Sequence, residues 1–499
     1  VRTATMRTTL KPQGLDDSPR HAFAVAALNP SRWWEPWTPD ESNPWDRDAV
    51  AHLHRRAGFM PNTATLERDL NRTPDEAIES LLLGDEQGPD GQHADDLDAQ
   101  ADQLDRRVGR NLEGLQSCWL HRMIHTARPL RERMTLFWHD HFATSFDKVG
   151  DATLMRHHIA LLRRHALGRF GPLLKAIGRD PAMLIWLDSA ANRKRRPNEN
   201  YAREVMELFT LGIGHYTEAD IQEAARAFTG RFVVNGRYVE RPEEFDDRPK
   251  RVLGKTAPFD GDSLADWLLE QPACAQFLAA KLASWFLSDL PEDLGGEASS
   301  GSDCLAPLAE TLRTTRYDLT ATLRFLLRSR IFFDPAMRRR KVKSPVEFTV
   351  GMVRSLDLIK PTLRLNELAQ ANNTMGQRLF APPGVAGWDG GPAWLGTTAT
   401  LARLNFALAL VGAGPGDNPF GRGHQPEPVA INQLADLVDR YADLWLQAGA
   451  SPSARRSIVE QVVTLERDPT NTPADADPGR ARARAALGLL VALPEFQLA

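Results

Sequence analysis

The sequence predicts a mainly α protein, a large multi-helical domain with a small β hairpin inserted in it. Three features lead to that class. Apolar residues recur at the three-to-four spacing of a helix over most of the chain. Helix punctuation recurs with them, with Ser, Thr, Asp or Asn before each stretch and Gly after it. Strict alternation occurs where Phe232-Val-Val234 and Arg237-Tyr-Val239 flank Asn235-Gly236, the pair that fits a type I′ turn. With 499 residues, 42% apolar and 25% charged, the chain can bury a substantial core.

The expected organisation is an extended arm at 1–44, a main helical domain at 45–412, a linker at 413–429 and a loosely attached C-terminal helical segment at 430–499. The main domain holds a central motif region, 129–230, and the hairpin, 231–240. Trp33, Trp34 and Trp37 crowd the arm and Trp45 follows just past it, and these four indoles predict that the arm packs on the body. Helices are predicted over Asp46–Gly58 and Thr65–Leu83, with Thr73-Pro74 opening a new one. An acidic loop over Gly84–Asp98 then leads to one helix, Ala99–His125. After the hairpin, Glu240–Asp262 reads as a polar loop and Ser263–Leu290 as helix split near Pro272. Pro291–Cys304 reads as a surface insertion and Leu305–Phe333 as two further helices. Arg338-Arg-Arg-Lys-Val-Lys343 reads as a solvated basic patch, with an anion contact as the alternative. Ser344-Pro345 caps and opens the next helix, and Phe380–Gly396 is a rigid Pro/Gly/Trp loop.

Composition excludes several classes. A net charge of −4 argues against a general nucleic-acid surface. Cys118, Cys274 and Cys304 are odd in number and lack CxxC spacing, so neither a disulfide framework nor a zinc knuckle is indicated. Apolar runs are too short for a transmembrane helix, and the start lacks signal-peptide layout, which places the chain as given in the cytoplasm. Phosphate-loop, GxSxG and GxGxxG signatures are missing, so nucleotide-dependent and serine-hydrolase readings lack their usual support.

Chemistry concentrates in the central region, because eight of the thirteen histidines lie between His121 and His215. On a helix opening at Pro129, His141 shares the apolar stripe of Leu130, Met134 and Phe137, while His139 lies about 200° away. The two rings converge only if the helix ends before them. His158 and His165 share a stripe with Leu154 and Leu161. On the helix Pro197–Gly212, Glu204 projects into the buried arc of Tyr201, Val205, Leu208 and Leu211, and Glu207 borders it. His121 and His125 form an HxxxH pair without the glutamate of a metalloprotease helix, so a solvated face is the reading there.

Several strings are specific enough to carry a resemblance: Phe137-Trp-His-Asp-His-Phe-Ala-Thr-Ser145, Pro197-Asn-Glu-Asn-Tyr-Ala-Arg-Glu204, Glu207-Leu-Phe-Thr-Leu-Gly212, Lys343-Ser-Pro-Val-Glu347 and Pro382-Pro-Gly-Val-Ala-Gly-Trp388. The chain resembles the bacterial domain-of-unknown-function 1800 family over nearly its whole length. That resemblance implies no assigned activity. It does imply frequent export, hence a periplasmic or exported alternative, and a partner from a genomically adjacent family resembling alkaline-phosphatase-like enzymes. Where the family usually shows His-Asp before a Lys, this chain has Asp246-Asp247 before Lys250.

Two function classes follow. One is an enzyme, hydrolase-like, either metal-assisted or acid/base, acting on a polymer or exported substrate. Its catalytic candidates are His139, His141, Glu204 and Glu207; His139, His141, His165 and Glu204 are candidate ligands for a divalent metal cofactor; Asp247, Lys250 and Trp388 are candidate ligand contacts. The other is a non-catalytic binding or assembly protein of the cell envelope whose buried polar network only fixes the fold, with Arg156, Arg164 or Arg226 neutralising Glu204.

Overall fold

A computed structural model describes residues 32–87, 92–289, 303–358, 363–412, 418–421, 424–447, 449–467 and 477–499. Most of the expected arm, all but the end of the insertion at 291–304 and much of the 413–429 linker lie outside them. The described chain is mainly α, with two small two-stranded antiparallel sheets.

One helix, Pro129–His141, organises the rest. Pro129 starts it where a missing N–H costs nothing. It is buried on every side: Leu130, Met134, Phe137 and Trp138 are sealed from water, and so are Glu132, Arg133 and His139. The ionic residues therefore need partners inside the protein. Trp138 stacks on Phe142 and Phe170, and its indole N–H donates to Ala166 O at 3.1 Å. Ala152–His165, Pro74–Leu83 and Arg47–Ala57 pack against this central helix, and Leu112–His125, Pro272–Phe286 and Pro345–Ser355 reach it through Trp119 on Glu132, Trp285 on Phe137 and Glu347 on Arg133.

Side-chain caps open several helices, among them the two expected at Thr73-Pro74 and Ser344-Pro345. Thr73 and Glu76, Thr217 and Asp220, and Ser344 and Glu347 form reciprocal capping boxes, each satisfying two N–H groups that the first turn leaves free. Asp180 caps Pro181–Trp186 by accepting from Met183 N. The stretch expected as one helix to His125 is two, Ala94–Val108 and Leu112–His125, because Asn111 accepts from Gly114 N and starts the second. The first of them also begins inside the expected acidic loop.

The predicted hairpin pairs β1 (Arg231–Val234) with β2 (Arg237–Glu240) across Asn235 and Gly236, both with positive φ. A second hairpin pairs β3 (Lys250–Val252) with β4 (Lys255–Ala257). It falls in what reads as polar loop, and its turn, Leu253-Gly254, also has positive φ at both residues. Only the glycine announces it.

The described part of the arm packs as expected. Trp34 stacks on Phe325 and donates to Cys304 O at 2.6 Å, and Trp37 lies 4.1 Å from the Phe333 ring. The C-terminal helices sit on the body: Trp445 is buried and donates to Ser355 Oγ at 3.1 Å, and Arg55 donates to Leu444 O. Among the described residues no helix is long and apolar enough to cross a membrane.

Candidate functional site

The central helix stays helical through His141, so His139 and His141 face away from one another. His139 is buried, and its Nε2 accepts from Phe380 N at 3.0 Å. An amide can only donate, so the ring proton sits on Nδ1. Burial, with a smaller push from His158, pulls this imidazole down to about 3, and it is neutral at physiological pH. His141 Nε2 lies 3.1 Å from Phe209 O and donates to it. Burial and the nearby Lys281 bring it down to about 3 as well. Convergence of the two rings fails for a simple reason: with no break in the helix, residues two apart point to different neighbours.

Nor do the other candidates join them. His158 binds Asp180 at 2.8 Å, both buried. His165 is half-buried, and its ring makes no hydrogen bond among the described residues; burial, then Arg164, lowers its pKa. Glu204 is half-buried rather than buried. The helix from Asn200 switches to a π turn over Val205–Thr210, and this extra residue puts Tyr201, Val205 and Phe209 on the inner face in place of Leu208. Glu204 therefore slips towards the rim. Burial, then repulsion from Glu207, raises its pKa. Glu207 accepts from Tyr216 Oη at 2.6 Å. Arg203 grips Glu218, with Glu199 at 3.6 Å. None of the arginines expected for Glu204 reaches it: Arg226 serves Asp246 and Glu223. Among the described residues no three His, Cys, Asp or Glu side chains are grouped to hold a metal ion.

The loop candidates resolve into two kinds. Asp247 is exposed and pairs with Lys194 at 2.7 Å. Lys250 is buried and donates to Asp246 O at 2.5 Å and Phe259 O at 2.7 Å, so it fastens the loop. The acid that matters structurally is Asp246, which accepts from both Arg226 and Arg248. Nor is the basic run a solvated patch: Lys341 and Lys343 are buried, Lys343 donating to Phe496 O at 2.7 Å.

Trp388 leads to a residue the sequence does not advertise. Its backbone N–H donates to Asp140 Oδ1 at 2.8 Å, and its indole lies 5.4 Å from the His139 ring. Asp140 stands between the two histidines on the central helix. Burial pushes its carboxyl up to about 6, against the opposing effects of the Trp388 N–H, Lys281 and Lys341. Oδ2 makes no hydrogen bond among the described residues, yet it is not sealed from water. Gly387 lets the loop come this close: its φ is +83°, and a Cβ there would lie 2.6 Å from Asp140 O and nearer still to Oδ1. The loop then passes Asp289, 3.3 Å from where a Cβ on Gly391 would be. Asp289 pairs with Lys341 and accepts from Val342 N at 2.7 Å. The sequence signal for Asp140 is thus the glycine run that closes over it.

Gly387→Ala tests that closure. Left-handed backbone alone should cost about 1–2 kcal/mol of stability. Because the loop must also lift, carboxyl-carbon NMR should find Asp140 titrating lower, towards the ordinary value for an aspartate. An unmoved titration would mean that the loop does not set it.

Comparison with known families matches residues 52–498 to one described as a protein of unknown function, DUF1800. No curated protein and no solved structure matches.

Proposed function

The chain belongs to the DUF1800 family, proteins of unknown function, and we propose a function for it from the geometry: a hydrolase-like acid/base enzyme in which Asp140 carries the proton. One observation supports it above the rest. Asp140 has one oxygen fixed by the Trp388 N–H and the other free, with Lys281 and Lys341 close enough to act on its charge. A carboxyl near 6 can accept a proton at neutral pH and give one back under mildly acidic conditions. The neutral His139 and His141 hold the Phe380 loop and the π turn on either side, so they position Asp140.

A panel of chromogenic esters, glycosides, phosphate esters and peptides tests this reading. Turnover by the wild type, with a pH profile bending near 6 and a loss of at least about 100-fold in Asp140→Asn, supports it. The substitution should not weaken the fold. A carboxyl raised above its unfolded value withdraws stability as pH climbs from that value through about 6, so at pH 8 the variant should melt no lower than the wild type. Equal turnover in the variant, or none in the wild type, sinks the proposal.

A second reading, a non-catalytic binding or assembly protein, is favoured by how two internal arginines are used. Arg354 donates to the C-terminal carbonyls of Met123 and Ile124 and to Thr126 O, and Arg403 donates to Lys343 O. These contacts tie segments together. In that reading the partner is a protein of the alkaline-phosphatase-like kind that the family resemblance suggests, and Asp140→Asn leaves its binding unchanged.

A further inference from the structure

Behind the glycine loop three cations from separate segments meet. Arg56 ends the helix Arg47–Ala57, Arg133 lies on the central helix, and Lys341 precedes the Ser344 cap. They are 0%, 1% and 8% exposed. Two acids face them. Glu347 is engaged on both oxygens, by Arg133 and by Ser344 N. Asp289 is likewise engaged by Lys341 and Val342 N, and its charge acts on all three cations. Three positive charges face these two negative ones, and Asp140, which Lys341 also influences, is balanced in turn by Lys281, so one positive charge is left over. Donors are left over too: among the described residues Arg56 Nε and Nη1, Arg133 Nε and Trp285 Nε1 are buried without a hydrogen-bond partner. The Arg133 guanidinium lies over the Trp285 ring, 5.1 Å from its centroid, so the two side chains that carry these donors are neighbours. Burial, then mutual repulsion, holds the Arg133 guanidinium down to about 9, still charged at neutral pH.

Water could accept these hydrogen bonds, but it could not offset the charge. We propose that Arg56, Arg133 and Trp285 bind an oxyanion, a phosphate, sulfate or carboxylate group, which neutralises the cluster and takes its unpartnered N–H groups. Guanidinium groups match that chemistry because they present planar, parallel donors. Trp285 is half-buried, the member of this group of three nearest to solvent. This site does not depend on proton transfer by Asp140.

The experiment uses the full chain in a buffer free of phosphate, sulfate and carboxylates, followed by calorimetry and melting. Inorganic phosphate, sulfate, succinate and phenyl phosphate are titrated separately. Saturable binding and a rise in Tm are expected with at least one. Trp285→Phe removes one N–H while keeping the ring, and should weaken that binding about tenfold. Arg56→Met should abolish it. Tight binding of inorganic phosphate or sulfate identifies a free ion as occupant; preference for phenyl phosphate or succinate identifies an anionic group on a larger ligand. No response to any of the four overturns the proposal. So does unchanged affinity in Trp285→Phe, a variant mild enough to fold.

Discussion

Glu132→Ala should cost about 3–5 kcal/mol, the loss associated with stranding a buried cation. Glu132 is 2% exposed and accepts from Arg163 at 2.7 and 3.2 Å and from Trp119 Nε1 at 2.9 Å. Arg122, also buried, lies close enough to share its charge. Removing the carboxylate leaves Arg163 without its partner and an indole N–H unbonded, in a helix that cannot admit water without opening. Urea denaturation measures the loss, and Glu132→Gln, which keeps an acceptor, should fall between. The pH dependence has a definite sign. Burial pushes this carboxyl up, but Arg163 and Arg122 outweigh it, so the folded value lies below the ordinary one. Its stabilisation is therefore complete above the unfolded value, about 4.3, and is lost as pH falls through the folded one. The wild type should weaken below about pH 4 more steeply than Glu132→Ala. Parallel acid slopes would show that the pair contributes no net stability.

Asp246→Ala should cost about 3 kcal/mol, and more locally. Its carboxylate is sealed from water and accepts from Arg226 and Arg248. These partners hold its carboxyl well below the usual carboxylate range, Arg248 first. Arg248 is largely exposed, so its pair is worth little; Arg226 carries the effect. Without Asp246 the segment joining the two hairpins loses its anchor, while Lys250 still holds the backbone at Phe259 O. Hydrogen exchange should speed up in 231–257 and stay unchanged in the central helix. Uniform acceleration through the protein would place Asp246 in the global core instead.

Local chemistry was legible in the sequence and long-range chemistry was not. Thr217 with Asp220, Ser344 with Glu347 and Asn235-Gly236 each act within four residues, so composition announces the structure. Asp140 is different: its environment is made by a loop 248 residues away. The run Arg338–Lys343 reads as surface because hydropathy counts charges and not partners, yet Lys341 and Lys343 are buried against Asp289 and Phe496 O. Glu204 was misplaced by a rotation that assumed an unbroken helix. One additional residue in a turn leaves no mark on a periodic pattern.

That turn has a consequence for deletion. The π turn spends an extra residue between Val205 and Thr210 and presents Phe209 O to His141. A chain shortened by one residue there would relax into ordinary helix, more comfortable in its backbone, with its carbonyls taken up by the amides four residues on. His141 would then face an apolar wall in place of a carbonyl. A one-residue deletion between 205 and 210 should therefore raise local helicity while lowering the melting temperature, a separation that point substitutions at these positions do not produce.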